Sequence, residues 1–148
     1  MKRMKGLLFI AAMAFTTLGQ AAEEGDILGV WVTKDAKSNV EITKCNSGLC
    51  GHIIALKEAL YPEGDAMAGQ TKTDRNNPDE SKQANPIIGL QILTGFVFDG
   101  DNVWEDGEIY DPNNGKTYKC KMTLEGNTLK VRGYIGFALL GRTTEWSR

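Results

Sequence analysis

From Ile27 to the last residue, apolar and polar positions alternate with a period of two far more often than with the helical period of 3.6. The clearest run is Tyr118 to Leu124. There Tyr118, Cys120, Met122 and Leu124 are separated by Lys119, Lys121 and Thr123. Such a run puts one side chain in two on a buried face, as a strand does. Similar segments span 27–33, 39–45, 50–56, 90–98, 103–110, 116–124, 128–134 and 142–148. Turn residues separate them: Asn46-Ser47-Gly48, Asp99-Gly100-Asp101-Asn102, Asp111-Pro112-Asn113-Asn114-Gly115 and Glu125-Gly126-Asn127. About eight short strands with regular turn signals predict an all-β fold, an antiparallel barrel or sandwich.

One stretch breaks the rhythm. Residues 57–86 are polar and contain Pro62, Pro78 and Pro86 with several Asp, Asn and Gly. A loop of this length inside a compact domain is uncommon and is often functional. Two readings stand: a cover over one mouth of a barrel, or a surface insertion.

The N-terminus follows another pattern. Lys2, Arg3 and Lys5 precede an unbroken apolar run from Leu7 to Phe15, and Gly19-Gln20-Ala21 places small residues before a cleavage point. These are the three parts of a secretory signal over 1–21. The run is shorter than the roughly 20 apolar residues of a membrane span. Cleavage near Ala21 leaves 22–148 as the mature domain, in the periplasm or outside the cell. The residue after the cut is Ala22 rather than Cys, which argues against a lipoprotein.

Composition sharpens this picture. The full chain has 148 residues and a formal charge of −2. Losing residues 1–21 removes three positive charges and leaves 127 residues at −5. An acidic domain of this size is a poor nucleic-acid binder, and it has room for one core.

Three cysteines fit an oxidising compartment. Cys45 and Cys50 flank a turn between two β-prone segments, so a disulfide closing a hairpin is expected. Their four-residue spacer is not that of a CxxC redox pair. Cys120 lies on the inward side of its strand, where it reads as a small buried hydrophobe.

In a closed barrel the first and last strands are neighbours. Trp31 in the first, with Trp146 and Arg148 in the last, can therefore meet at the seam, with a guanidinium over an indole. Gly29-Val30-Trp31 paired with a terminal arginine-bearing strand resembles the barrel-closing signature of the calycins, the superfamily of lipocalins and fatty-acid-binding proteins. Nearly the whole mature chain also resembles a family of exported bacterial proteins of unknown function with a lipocalin-like barrel. That resemblance rests on Gly29-Val30-Trp31, Leu49-Cys50-Gly51-His52-Ile53, Asp74 with Asn77-Pro78, Pro86-Ile87-Ile88-Gly89-Leu90, Trp104 with Gly107-Glu108-Ile109-Tyr110-Asp111-Pro112, and Gly115-Lys116-Thr117-Tyr118. It continues in Leu129 to Gly136, Gly141-Arg142-Thr143 and Trp146-Ser147-Arg148. It implies a fold and a compartment, and no reaction.

No motif supplies catalysis. Counted from Asp111, the sixth and twelfth positions of a calcium loop are Lys116 and Met122, not Gly and Glu. No His/Cys cluster suits zinc, and neither a phosphate-binding loop nor a G-x-S-x-G elbow is present. His52 is a lone imidazole on a strand. Asp74, Asp79 and Glu80 read as solvated loop carboxylates. Neither a metal nor another cofactor is expected, and the expected function is binding rather than catalysis. Small barrels of about eight strands can hold one ligand. The candidate lining is Phe96, Tyr110, Tyr118, Met122, Arg132 and Arg142, with the arginines and tyrosines offering polar handles for an anionic head group. A small apolar or amphipathic ligand is the expected partner. The competing readings are a solid aromatic core with edge arginines, and an envelope protein–protein interaction module without a ligand.

Overall fold

The computed structural model describes residues 19–148. The expected signal segment, 1–21, lies outside the described residues for all but its last three positions.

Eight antiparallel strands close into one barrel in sequence order. They are β1 (Gly29–Val32), β2 (Ser38–Cys45), β3 (Gly48–Leu56), β4 (Gln91–Gly100), β5 (Val103–Asp111), β6 (Lys116–Glu125), β7 (Thr128–Tyr134) and β8 (Arg142–Ser147). Every strand expected from the alternation is present. The largest boundary change is at the start. Ile27, expected in the first strand, ends a 3-10 turn over Glu24–Ile27. That turn caps the barrel: Trp31 Nε1 donates to the Ile27 carbonyl at 2.8 Å, and Trp104 Nε1 donates to the Glu24 carbonyl at 3.2 Å.

The two barrel ends differ. The short β2–β3, β4–β5 and β6–β7 turns share one end with the 3-10 turn. The β1–β2, β3–β4, β5–β6 and β7–β8 connections gather at the other. The capped half is packed solid. Trp31, Leu49, Phe96, Trp104, Met122 and Leu129 are all buried there. Phe96 lies against Gly107, where an added Cβ would stand 2.5 Å from the ring. The glycine leaves the space that the aromatic ring fills. Phe98 is half-exposed and packs against Trp104 with ring centroids 4.9 Å apart. The alternation slips earlier, between Leu93 and Phe96, where Gly95 adopts φ +77° and the β3–β4 register shifts between Leu49 and Gly51. Phe98 keeps the face of Phe96 and packs at the edge of the core. A second shift, between Gly51 and His52, leaves Ile92 as the extra residue of β4, and Ile92 and Leu93 are both buried.

The seam is narrow. β1 and β8 pair only at Val32 and Ser147, whereas β7 and β8 pair along their whole length. Side chains carry the rest of the closure. The Arg148 guanidinium lies 4.3 Å from the Trp31 ring centroid, and its Nη atoms donate to the carbonyls of Leu28 at 3.2 Å and Asp26 at 2.6 Å. Trp146 is buried one strand away. Cys45 and Cys50 form the expected disulfide across the β2–β3 hairpin, with Cα atoms 5.9 Å apart. Cys120 is free and buried.

The long β3–β4 connection is ordered and folds back over the barrel mouth. Tyr61 is buried, and its hydroxyl donates to the Thr73 carbonyl and accepts from the Thr73 amide, both at 3.1 Å. Arg75 stacks on the Tyr61 ring at 4.2 Å and grips Asp65 with two 2.9 Å bonds. Asn76 Nδ2 donates to the carbonyls of Pro112 and Asn113, tying the loop to the β5–β6 turn. The loop forms one side of the barrel mouth, where Tyr61, Arg75 and Ile87 line the cavity.

Candidate functional site

The half of the barrel away from the cap is open. A cavity of about 1490 Å³ runs from its centre to the loop end. Its apolar lining comes from Ile53 on β3, Ile92 on β4, Ile109 on β5, Val131 on β7, Trp146 on β8 and Ile87 from the long loop, and polar and charged side chains line the rest. The inward alternation puts these side chains there, and the packed aromatic layer below stops the cavity. A concave site that combines apolar walls with polar groups near its opening is the ordinary form of a small-molecule site.

The polar groups stand at the rim. Tyr118 accepts a 2.9 Å bond from Asn114 Nδ2 and keeps its own hydroxyl proton to donate. Arg142 is exposed at the start of β8 and has no ion pair among the described residues. Tyr110 also lines the cavity, but its hydroxyl is committed: it donates to Asp74 Oδ1 at 2.7 Å.

Asp74 departs from the sequence reading. It is fully buried rather than solvated, and it sits within the loop, not among the cavity-lining residues. Asn77 Nδ2 donates to its second oxygen at 2.7 Å, and its own amide donates to the Asn85 carbonyl. Hydrogen bonds to both oxygens meet the cost of burying a carboxylate. Burial first, and then the bond to Asp74, push the Tyr110 hydroxyl up to about 12. The pair works as a latch between the long loop and β5.

The expected lining residues separate into two groups. Tyr110, Tyr118 and Arg142 border the cavity. Phe96 and Met122 do not: they belong to the packed half, because their strand positions fall nearer the cap. Arg132 points outward and binds the β7–β8 connection, with Nε donating to the Ala138 carbonyl at 2.6 Å, Nη2 to the Leu139 carbonyl at 3.2 Å and Nη1 to Thr143 Oγ1 at 2.8 Å. Sequence reasoning missed Ile53, Ile109 and Ile87. The signal for the first two was weak, since Ile53 is followed by Ile54 and Ile109 by Tyr110, which blurs the alternation. Ile87 carried none, because nothing local says that a loop residue turns inward.

Among the described residues, no three His, Cys, Asp or Glu side chains gather in a way that could hold a metal ion. Burial pushes the Cys120 thiol up to about 12, far from the range of a reactive thiolate. No helix of the described residues is long and apolar enough to cross a membrane.

Comparison with known proteins agrees with the architecture. A family model described as "Uncharacterized protein conserved in bacteria (DUF2147)" matches residues 29–148, which includes every strand. A search of the curated proteins gave no match. Among solved structures, the chain is similar to Helicobacter pylori protein HP1028, described as belonging to the lipocalin family. The TM-score is 0.69 at 22% identity, over 83% of this chain and 82% of that one. The fold is thus a lipocalin-like barrel.

Proposed function

The chain belongs to this bacterial family, and on that premise we propose that it binds a small, partly apolar molecule in the open half of its barrel. One observation carries the reading: the barrel is half packed and half hollow. The capped half holds the large buried aromatics Trp31, Phe96 and Trp104, while the other half opens into a space of about 1490 Å³. The deep part of that space is lined by Ile53, Ile92, Ile109, Val131 and Trp146, and its wide mouth by polar and charged side chains. A barrel built only for stability would fill that space, because voids cost packing energy.

The rim defines the ligand further. Arg142 and the Tyr118 hydroxyl offer donors at the opening, while deeper in the cavity the lining is mainly Ile53, Ile92, Ile109 and Val131, with the Trp146 indole and Thr144 as polar-bearing neighbours. An elongated amphipathic molecule with an acidic head fits this polarity, apolar end inward. The protein acts as an exported carrier or sensor of that molecule, not as a catalyst. The compartment is supported by the Cys45–Cys50 bridge, which persists where thiols are oxidised.

Native mass spectrometry of protein purified from the exported fraction of its host tests the reading. The expected spectrum shows a bound species that dissociates on activation, with a mass matching an organic acid. Protein that carries no such species, and that takes up none from an added pool of long-chain carboxylates, would overturn it.

A further inference from the structure

The connection between β7 and β8 exposes apolar side chains at the cavity mouth. Ile135 is 72% exposed, Phe137 78%, Leu139 91% and Leu140 79%. Isolated exposed apolar residues are ordinary, but four within six positions form a patch. The patch is also held in place. Arg132 takes the carbonyls of Ala138 and Leu139 on its guanidinium. Gly141 packs so closely that an added Cβ would lie 2.6 Å from the Gly133 carbonyl oxygen. The backbone of this tip is fastened to the barrel while its large side chains face outward.

Charge is distributed to match. Six cationic side chains line the mouth against four acidic ones. Two of the cations are paired, Arg75 with Asp65 and Lys72 with Glu58. Lys34, Lys37, Lys57 and Arg142 have no ion pair among the described residues. The capped end is more acidic: Glu23, Asp26, Asp99 and Asp101 are exposed there against Arg148, and its Lys44 and Lys130 are paired with Glu24 and Glu125. The cavity mouth of a chain that is acidic overall thus carries more cations than acids in its lining. Asp35 and Asp111 are acids there with no ion pair among the described residues, and Glu63 and Glu80 are exposed on the long loop at the same end.

We propose that the β7–β8 tip docks the cavity mouth onto an anionic lipid bilayer, with Phe137 and Leu139 entering the acyl region and the unpaired lysines and Arg142 resting on lipid phosphates. Apolar burial and electrostatic attraction add at such a surface. Ile135 and Leu140 belong both to the tip and to the cavity lining, so the mouth opens where the tip would insert. This rests on the ligand-binding reading above and deepens it: the bilayer is where the acidic amphipath is picked up or delivered. The difference in charge between the two ends orients the molecule mouth-first.

The test uses the mature chain with vesicles of phosphatidylcholine alone or mixed with phosphatidylglycerol, read by co-sedimentation. A soluble fluorescent acyl carboxylate is titrated in parallel without vesicles. The wild type should bind the mixed vesicles, bind neutral ones far more weakly, and release as salt rises. Phe137→Ser and Leu139→Ser should each weaken vesicle binding on the order of tenfold, as expected for removing one large apolar side chain from the acyl region. Both should leave thermal stability and binding of the soluble probe unchanged. Lys34→Glu with Lys57→Glu should abolish the preference for the anionic vesicles.

Equal vesicle binding by wild type and both serine variants would overturn the docking proposal, as would no vesicle binding by the wild type. Concentration-dependent dimerisation that the serine variants abolish would also overturn it, by assigning the tip to a second copy of the chain. Loss of probe binding by the wild type in solution would instead strike the ligand-binding reading. The two failures are therefore told apart.

Discussion

The hydroxyl of Tyr110 donates a 2.7 Å hydrogen bond to the buried carboxylate of Asp74, across 36 residues of chain. This bond fastens the long β3–β4 connection to the barrel wall and so shapes the cavity mouth. Tyr110→Phe keeps the ring and removes the donor. It should lower unfolding free energy by about 2 kcal/mol, the usual cost of stripping a buried charged acceptor of a partner. Urea denaturation of the two proteins measures it.

The same pair predicts a pH dependence. The Tyr110 hydroxyl titrates near 12 in the folded chain, above its ordinary value of 10.0. The folded state thus holds this proton more tightly than the unfolded state. Its contribution is fully present below pH 10 and is lost as pH rises from there through 12. Wild type and Tyr110→Phe should therefore converge in stability across that window. Parallel denaturation curves over the same range, with a constant gap, would contradict the assignment.

The cysteines should behave as two classes. Native protein should show almost no thiol reaction with a disulfide reagent at neutral pH, since Cys120 is buried with its thiol pushed up to about 12. Unfolding without reductant should release one reactive thiol per chain, because Cys45 and Cys50 are joined. Replacing both with Ser should cost about 2 kcal/mol, the chain-entropy value for so small a loop.

Closure at the seam rests on few contacts. Arg148→Ala removes the guanidinium over Trp31 and the bonds to the Leu28 and Asp26 carbonyls. A loss of roughly 1–2 kcal/mol is expected, given partial exposure of the guanidinium. Hydrogen exchange should rise most in β1 and β8, because only Val32 and Ser147 pair across that seam. An even rise around the barrel would show that closure does not depend on Arg148.

The barrel itself was legible in the sequence because each strand announces itself locally, by alternation and by the turn that ends it. Cys120, Met122 and Leu124 are inward as the pattern of their strand requires. The seam was legible for a different reason: Trp31 and Arg148 occupy the two strands that closure must bring together. What the sequence did not disclose depends on position along the barrel axis. Alternation tells inside from outside but not cap from mouth, so Phe96 and Met122 looked equivalent to Ile92 and Val131. Strand stagger decides that difference, and stagger is set by bulges such as the one at Gly95. Asp74 was hidden for another reason. Its partners, Tyr110 and Asn77, come from a strand and from the loop itself, and only their convergence makes burial affordable.

The central claim, that the hollow half of the barrel is a binding site, is tested most directly by side-chain NMR during titration with a long-chain carboxylate. Saturable shifts should appear at Ile53, Ile92, Ile109, Val131 and Trp146, which line the cavity, while Trp31, Trp104 and Leu129 in the packed half stay in place. Shifts confined to the outer surface, or no saturation, would contradict it.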